Sequence, residues 1–248
     1  VAKPTKSERT ERQARVEKML NQQRSAERSR GMMIVGACML VGLLIIGAAA
    51  YKPIMERLDA RQHRDTALED LGAPASACQK ITTKEATGNQ EHVEPGTPLD
   101  LKDAPPAFGT HYNVWEPMDK KLYTKGDRPE VGRLIHNLEH GYTLVWYDKT
   151  AAGDPEMMSV IRGMADKFGG TTNLRHKFIA VPWLKSDGKA FPKGQHIAYT
   201  HWSVGGTGSD ATGKQVGVWQ YCSSPSGAAL QDFMIKYPYM DSPEPTVV

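Results

Sequence analysis

Residues 127–147, DRPEVGRLIHNLEHGYTLVWY, set a helix directly before a strand, and the class of the fold turns on that junction. Asp127 is an N-cap residue type, Pro129 suits a first helical turn, and Gly141 stands where a helix C-cap glycine belongs. These signals bracket a helix from about Pro129 to His140. Tyr142 to Tyr147 follows at once with β-branched and aromatic residues, which predicts a strand.

Downstream, Asp154-Pro155-Glu156 opens a second predicted helix, Pro155 to about Phe168, with Met157, Val160, Ile161, Met164 and Phe168 at core-facing spacing. Lys177 to Trp183, His196 to Trp202 and Val216 to Tyr221 read as strands. Ser224-Pro225 starts a final helix with Ala229, Leu230, Phe233 and Met234 apolar. The order helix, strand, helix, three strands, helix predicts an α/β (α+β) domain with a mixed sheet flanked by helices. That order is thioredoxin-like but lacks a C-x-x-C motif, which argues against dithiol chemistry. Upstream, Cys78 to His111 is rich in Pro, Gly, Thr and Asp and is expected to be mostly extended loop.

The opposite end of the chain has a different character. Met32 through Ala50 carries no charge and is about long enough to cross a ~30 Å hydrocarbon core as a helix. Arg24, Arg28 and Arg30 crowd its N-terminal side, whereas Lys52, Glu56, Arg57, Asp59 and Arg61 mix signs beyond it. The positive-inside bias then keeps the N-terminus cytoplasmic and the domain outside. The expected organisation is a basic cytoplasmic arm (1–30), a transmembrane helix (31–51), a stalk (52–75), an extracytoplasmic domain (76–240) and a loose tail (241–248). A signal peptide cleaved at Ala50 and lipidation at Cys38 are the competing readings of the run.

Net charge is +3, but residues 1–30 hold nine Lys/Arg against four Glu, so the remainder is net −2. The basic balance therefore belongs to the arm, and nucleic acid is excluded as a partner of the folded domain. Outside the cytoplasm an even cysteine pair is usually bridged, so Cys78 and Cys222 are expected to form a disulfide. Two free thiols acting as soft metal ligands are the alternative.

His136-Asn-Leu-Glu139-His140 puts two imidazoles at i and i+4 beside a carboxylate. The string also fits the inverted zincin pattern H-x-x-E-H, although the helix stops at Gly141 and no third helical ligand is evident. Pro105-Pro106-Ala-Phe-Gly109-Thr-His111 offers a third imidazole, with Gly109 permitting the turn that presents it. Met118 could add a soft thioether for Cu(I). Buried, hydrogen-bonded helix histidines would account for His136 and His140 equally well. His201 reads as a satisfied sheet histidine, and His63, His92, His176 and His196 have no partners at ligand spacing. Gly205-Gly206-Thr-Gly208-Ser-Asp reads as a flexible hairpin loop.

The strings Pro105-Pro106-x-x-Gly109-x-His111, Leu134-Ile-His136-Asn-Leu-Glu-His140-Gly141-Tyr and Ala180-Val-Pro182-Trp183 together resemble a membrane-anchored bacterial family, common in actinobacteria. It is filed as domain of unknown function 3105. The resemblance runs from about His92 to Pro238, with Ala107-Phe108 and His201-Trp202-Ser203 departing from its usual strings. It implies one conserved domain and points to the three histidines, without supplying a reaction.

The sequence thus predicts an extracytoplasmic domain that holds copper, or alternatively zinc, through His111, His136 and His140. Glu139 would bind too or orient a ligand. Binding rather than catalysis is the leading reading, with the membrane and a respiratory oxidase assembly as expected partners. A scaffold subunit of such a complex and a zinc-dependent hydrolase are the alternatives.

Overall fold

A computed structural model describes residues 6–86, 90–206 and 212–247. Residues 1–5 of the basic arm and 207–211 of the glycine-rich loop lie outside the described residues. Contacts divide the chain between Arg57 and Leu58 into two units.

The described residues of the first unit belong to α1 (Lys6–His63), an unbroken helix where the sequence suggested an arm, an anchor and a stalk. Its large apolar side chains from Met32 to Ile46 are exposed, Leu43 at 70%. Among the described residues this is the one helix long and apolar enough to cross a membrane, a form shared by anchors and signal sequences.

In the second unit, residues of the expected stalk enter the core: Leu71 is buried and Leu68 packs against the same cluster. Next come β1 (Thr82–Glu85), β2 (His92–Val93) and β3 (His111–Tyr112), then α2 (Val131–Glu139) and β4 (Thr143–Tyr147). The short α3 (Lys149–Gly153) leads into α4 (Pro155–Lys167), β5 (Phe178–Pro182), β6 (Ile197–Ser203), β7 (Val216–Cys222) and α5 (Gly227–Lys236). Five strands form one sheet in the order β1-β7-β6-β4-β5. Only β4 and β5 run parallel within it, joined through α4, so the sheet is mixed.

Side-chain alternation along the strands makes two cores. Val145 and Tyr147 of β4 face α4 and α5, while Leu144 and Trp146 face α2. Burial on both faces requires apolar residues at both parities, which is why residues 142–147 read as a continuous apolar run.

The termini of α2 are set locally. Gly141, at φ 85°, ends the helix: its N–H bonds to the Leu138 carbonyl and that of Tyr142 to the Asn137 carbonyl, a Schellman motif. The start differs from expectation. Glu130 rather than Asp127 precedes the first turn, because Asp127 accepts hydrogen bonds from Thr124 and Lys120 to close its own turn.

One further expectation is added to and another is corrected. The stretch from Cys78 to His111 holds two strand pairings, β1 antiparallel to β7 and β2 parallel to β3. All four residues of β1 are exposed, so no hydrophobic alternation announced it. Residues 240–247 are not loose. Asp241 is buried, accepting from the Ser203 hydroxyl and from the N–H groups of Val204 and Gly206. Cys78 and Cys222 are joined as a disulfide beside the edge of β7.

Candidate metal centre

Packing of α2 decides where its polar side chains go. Leu134, Ile135 and Leu138, each at most 1% exposed, press onto the sheet, each burial contributing about 1.5–3 kcal/mol. At about 100° per residue, His136 and His140 then fall on the opposite side of the helix, and Glu139 falls on its flank between Ile135 and His136. That side is covered by β3 and the segment after it, and Trp115 packs against both histidine rings. Asn137 fastens the cover, donating to the Glu116 carbonyl at 2.8 Å and accepting from its N–H at 3.0 Å.

His111 comes to the same place from β3. Its Nδ1 donates to the Gly109 carbonyl at 2.7 Å, so the left-handed Gly109 both turns the chain and orients the ring. His136 is oriented likewise, with Nδ1 donating to the Tyr112 carbonyl at 2.6 Å. Gly132 lets that contact form: a Cβ there would stand 2.7 Å from the Tyr112 ring.

With both Nδ1 atoms committed as donors, each ring turns its Nε2 toward one point, and that nitrogen offers a lone pair whenever it carries no proton. Oε2 of Glu139 waits there, 3.0 Å from Nε2 of His111 and 3.8 Å from that of His136. A fourth group, His92 on β2, places its Nε2 3.1 Å from His111 Nε2 and 3.5 Å from Glu139 Oε2. The ligand atoms of His92, His111, His136 and Glu139 all lie within 4.8 Å of one another.

His92 corrects the expectation that it lacks a partner. Its register mate on β3 is His111, nineteen residues on, and a parallel pairing across a loop leaves no periodic trace in the sequence. His92 is also the exposed member, its side chain 37% accessible, while His111 and Glu139 are wholly buried.

His140 is set apart from that quartet. With Glu139 and Glu244, from the C-terminal segment, it makes a second group whose ligand atoms are within 4.8 Å of one another. Nε2 of His140 is 3.5 Å from Oε2 of Glu244, and its buried Nδ1 has no partner. The Glu244 N–H bonds to the Glu139 carbonyl, and Lys177 Nζ holds the carbonyls of His140, Pro245 and Val247. Burial pulls the Lys177 ammonium down to about 8. Three carbonyl acceptors work against that, because only the charged form has three protons to give.

Electrostatics favour ligand-ready side chains. Burial holds His136 to about 4 and His140 to about 3, so both are neutral at physiological pH. Burial works to raise the Glu139 carboxyl, but the neighbouring imidazoles, first His111 where its Nε2 carries a proton to donate, outweigh it and hold the group below its usual range. Oε1 of Glu139 is buried without a partner. With no proton on Nε2, a buried carboxylate facing imidazole lone pairs is an acceptor-only constellation that a cation completes.

The other histidines and Met118 stay outside. Met118 is packed in the core on the α2 side of the sheet, which removes it as a thioether ligand. His201 joins the Tyr142 and Asp241 carbonyls, a bonded sheet histidine. His196 pairs with Asp148 at 2.9 Å and His63 with Ser159 at 3.0 Å, so these two also have partners. His176 meets the Gly169 carbonyl. Phe108, which departs from the family string, fills the space over Gly217 and packs edge-on to Trp202 and Trp219.

Residues 92–247 match the family described as "Protein of unknown function (DUF3105)", and the matched stretch contains every residue of both ligand groups. No curated protein and no solved structure matches the chain at a significant level.

Proposed function

The chain belongs to the DUF3105 family of proteins of unknown function, and we propose that its domain is a metal-binding module taking a divalent transition metal through His92, His111, His136 and Glu139. The observation that carries this reading is the pair of backbone-fixed rings: Nδ1 of His111 and of His136 each donate to a carbonyl, leaving Nε2 of both aimed at Glu139. Metal-ligating histidines characteristically have the other ring nitrogen tied down in this way.

Spacing supports the same reading. Two N or O ligands about 2.0–2.2 Å from a Zn²⁺ ion stand about 3.4 Å apart across a tetrahedral angle. The separations of 3.0, 3.1, 3.5 and 3.8 Å bracket that figure. Three imidazoles and one carboxylate suit Zn²⁺ and Cu²⁺ alike, and without a thioether the set does not favour Cu(I). A bound metal would have half its charge offset by Glu139 and would be reached past His92. The apolar part of α1 serves as a single-pass anchor in this reading, with the domain outside the cytoplasm. The strand order of β4 to β7 fits a thioredoxin-like arrangement, used as a rigid platform for ligands because no cysteine pair has redox spacing. Hydrolysis of the inverted zincin kind loses its base, since Glu139 is itself among the ligands.

The test is metal content. Full-length protein purified in mild detergent and exposed to Zn²⁺ or Cu²⁺ should retain metal after gel filtration, and a His111→Ala/His136→Ala variant should lose it. Wild-type protein that retains none would overturn the reading.

A further inference from the structure

Glu139 belongs to both ligand groups. We propose that its carboxylate bridges two divalent transition-metal ions, one held by His92, His111 and His136 and the second by His140 and Glu244. This inference rests on the metal-binding reading above and adds a second ion to it.

A buried atom asks for the second ion. Oε1 of Glu139 is enclosed and has no hydrogen-bond partner, although Glu139 is wholly buried. Folded proteins rarely leave such groups unsatisfied. Oε2 of the same carboxylate is already turned toward His92, His111 and His136, so the free oxygen is the one available to a neighbouring ion. A carboxylate has lone pairs enough for both.

The third member of the second group is delivered by the C-terminal segment. Nε2 of His140 and Oε2 of Glu244 are 3.5 Å apart, long for a hydrogen bond and close to the separation of two ligands on one small ion. Backbone bonds fix Glu244 there, through its own N–H to the Glu139 carbonyl and through Lys177 to the carbonyls of Pro245 and Val247. The Glu244 side chain is 40% exposed, so this position opens to solvent on its own side.

Charge sets the order of filling. Glu139 neutralises part of the first ion's charge and Glu244 part of the second's, but the Lys177 ammonium beside the His140 carbonyl opposes the second ion. The three-histidine site therefore fills first.

The decisive experiment is a Cu²⁺ titration of the metal-stripped full-length protein in detergent, with bound metal counted after gel filtration and the Cu²⁺ electron paramagnetic resonance signal integrated at each point. A parallel Zn²⁺ count excludes copper-specific effects. Wild type should take two equivalents, its signal growing with the first and falling with the second as the bridged ions couple. Glu244→Gln, a change at a solvent-facing side chain, should take one equivalent with a full, uncoupled signal. One equivalent in both proteins would overturn the bridge and leave the metal-binding reading standing. Two equivalents without coupling, or two that survive Glu244→Gln, would mark the second ion as adventitious and also overturn the bridge. No metal in wild type would overturn both.

Discussion

Nε2 of His111 and Oε2 of Glu139 lie 3.0 Å apart with neither side chain exposed, and the other ring nitrogen of His111 is already spent on the Gly109 carbonyl. The buried carboxylate thus meets a nitrogen lone pair unless a proton or a metal stands between them. Glu139→Gln replaces it with an amide whose N–H can donate to that nitrogen. Metal-free stability should hold or rise. The stabilisation of about 2.7 kcal/mol that a bound ion gives at a hundredfold excess over Kd should vanish. Thermal melts with and without Zn²⁺ measure both, and a variant that still responds to Zn²⁺ like wild type would contradict this role.

Stability of the metal-free domain should fall in mild acid. His136 and His140 are held by burial to about 4 and about 3, whereas in the unfolded chain they titrate near the usual ~6.5. Between those values the unfolded chain binds more protons, so stability is full above about pH 6.5 and is lost as pH falls toward 4 and then 3. Denaturant midpoints measured in chelator from pH 7.5 to 4 should decline through that window. His140→Phe should flatten the decline, and an unchanged slope would show that His140 is not buried neutral.

Gly132 tests whether the site depends on packing one layer away. In an exposed helix Ala would gain about 1 kcal/mol over Gly. Here the added methyl would meet the Tyr112 ring face at 2.7 Å, an overpacking that costs typically ~1–3 kcal/mol. Gly132→Ala should therefore be net neutral to destabilising, and should weaken metal binding at least tenfold because the Tyr112 carbonyl orients His136. Competition against a chromogenic chelator reads the affinity. Unchanged affinity would mean that His136 needs no such support.

The strongly patterned half of the domain was legible in the sequence. Residues 178–182, 197–203 and 216–222 carry strand composition, and Asp154 with Pro155 announces α4, since Asp154 accepts from the N–H groups of Glu156 and Met157. The helix bearing His136 and Glu139 was legible for the same reason, with its stop signalled by Gly141. What escaped was made by pairings with little local signal. β1 is exposed throughout, and His92 joins His111 only because two short strands align across a loop. The spacing of His136 and His140 suggested one shared ion, and their rings do pack together under Trp115, but their ring nitrogens reach different partners. His136 turns to Tyr112 and the quartet, and His140 turns to Glu244, a residue 104 positions later whose approach depends on Lys177 gripping the chain beside it.

The bond between Cys78 and Cys222 makes a closed ring of the intervening chain, and His92, His111, His136, Glu139 and His140 all lie on that ring while Glu244 lies outside it. A protease that nicks the ring once, in any exposed loop between the two cysteines, leaves both pieces covalently joined with the quartet of three histidines and Glu139 among them. A cut after residue 222 removes Glu244 alone from the ligand set. The two positions of one carboxylate would thus differ in their exposure to proteolysis: one survives until a reductant acts, and the other is lost with a single cleavage.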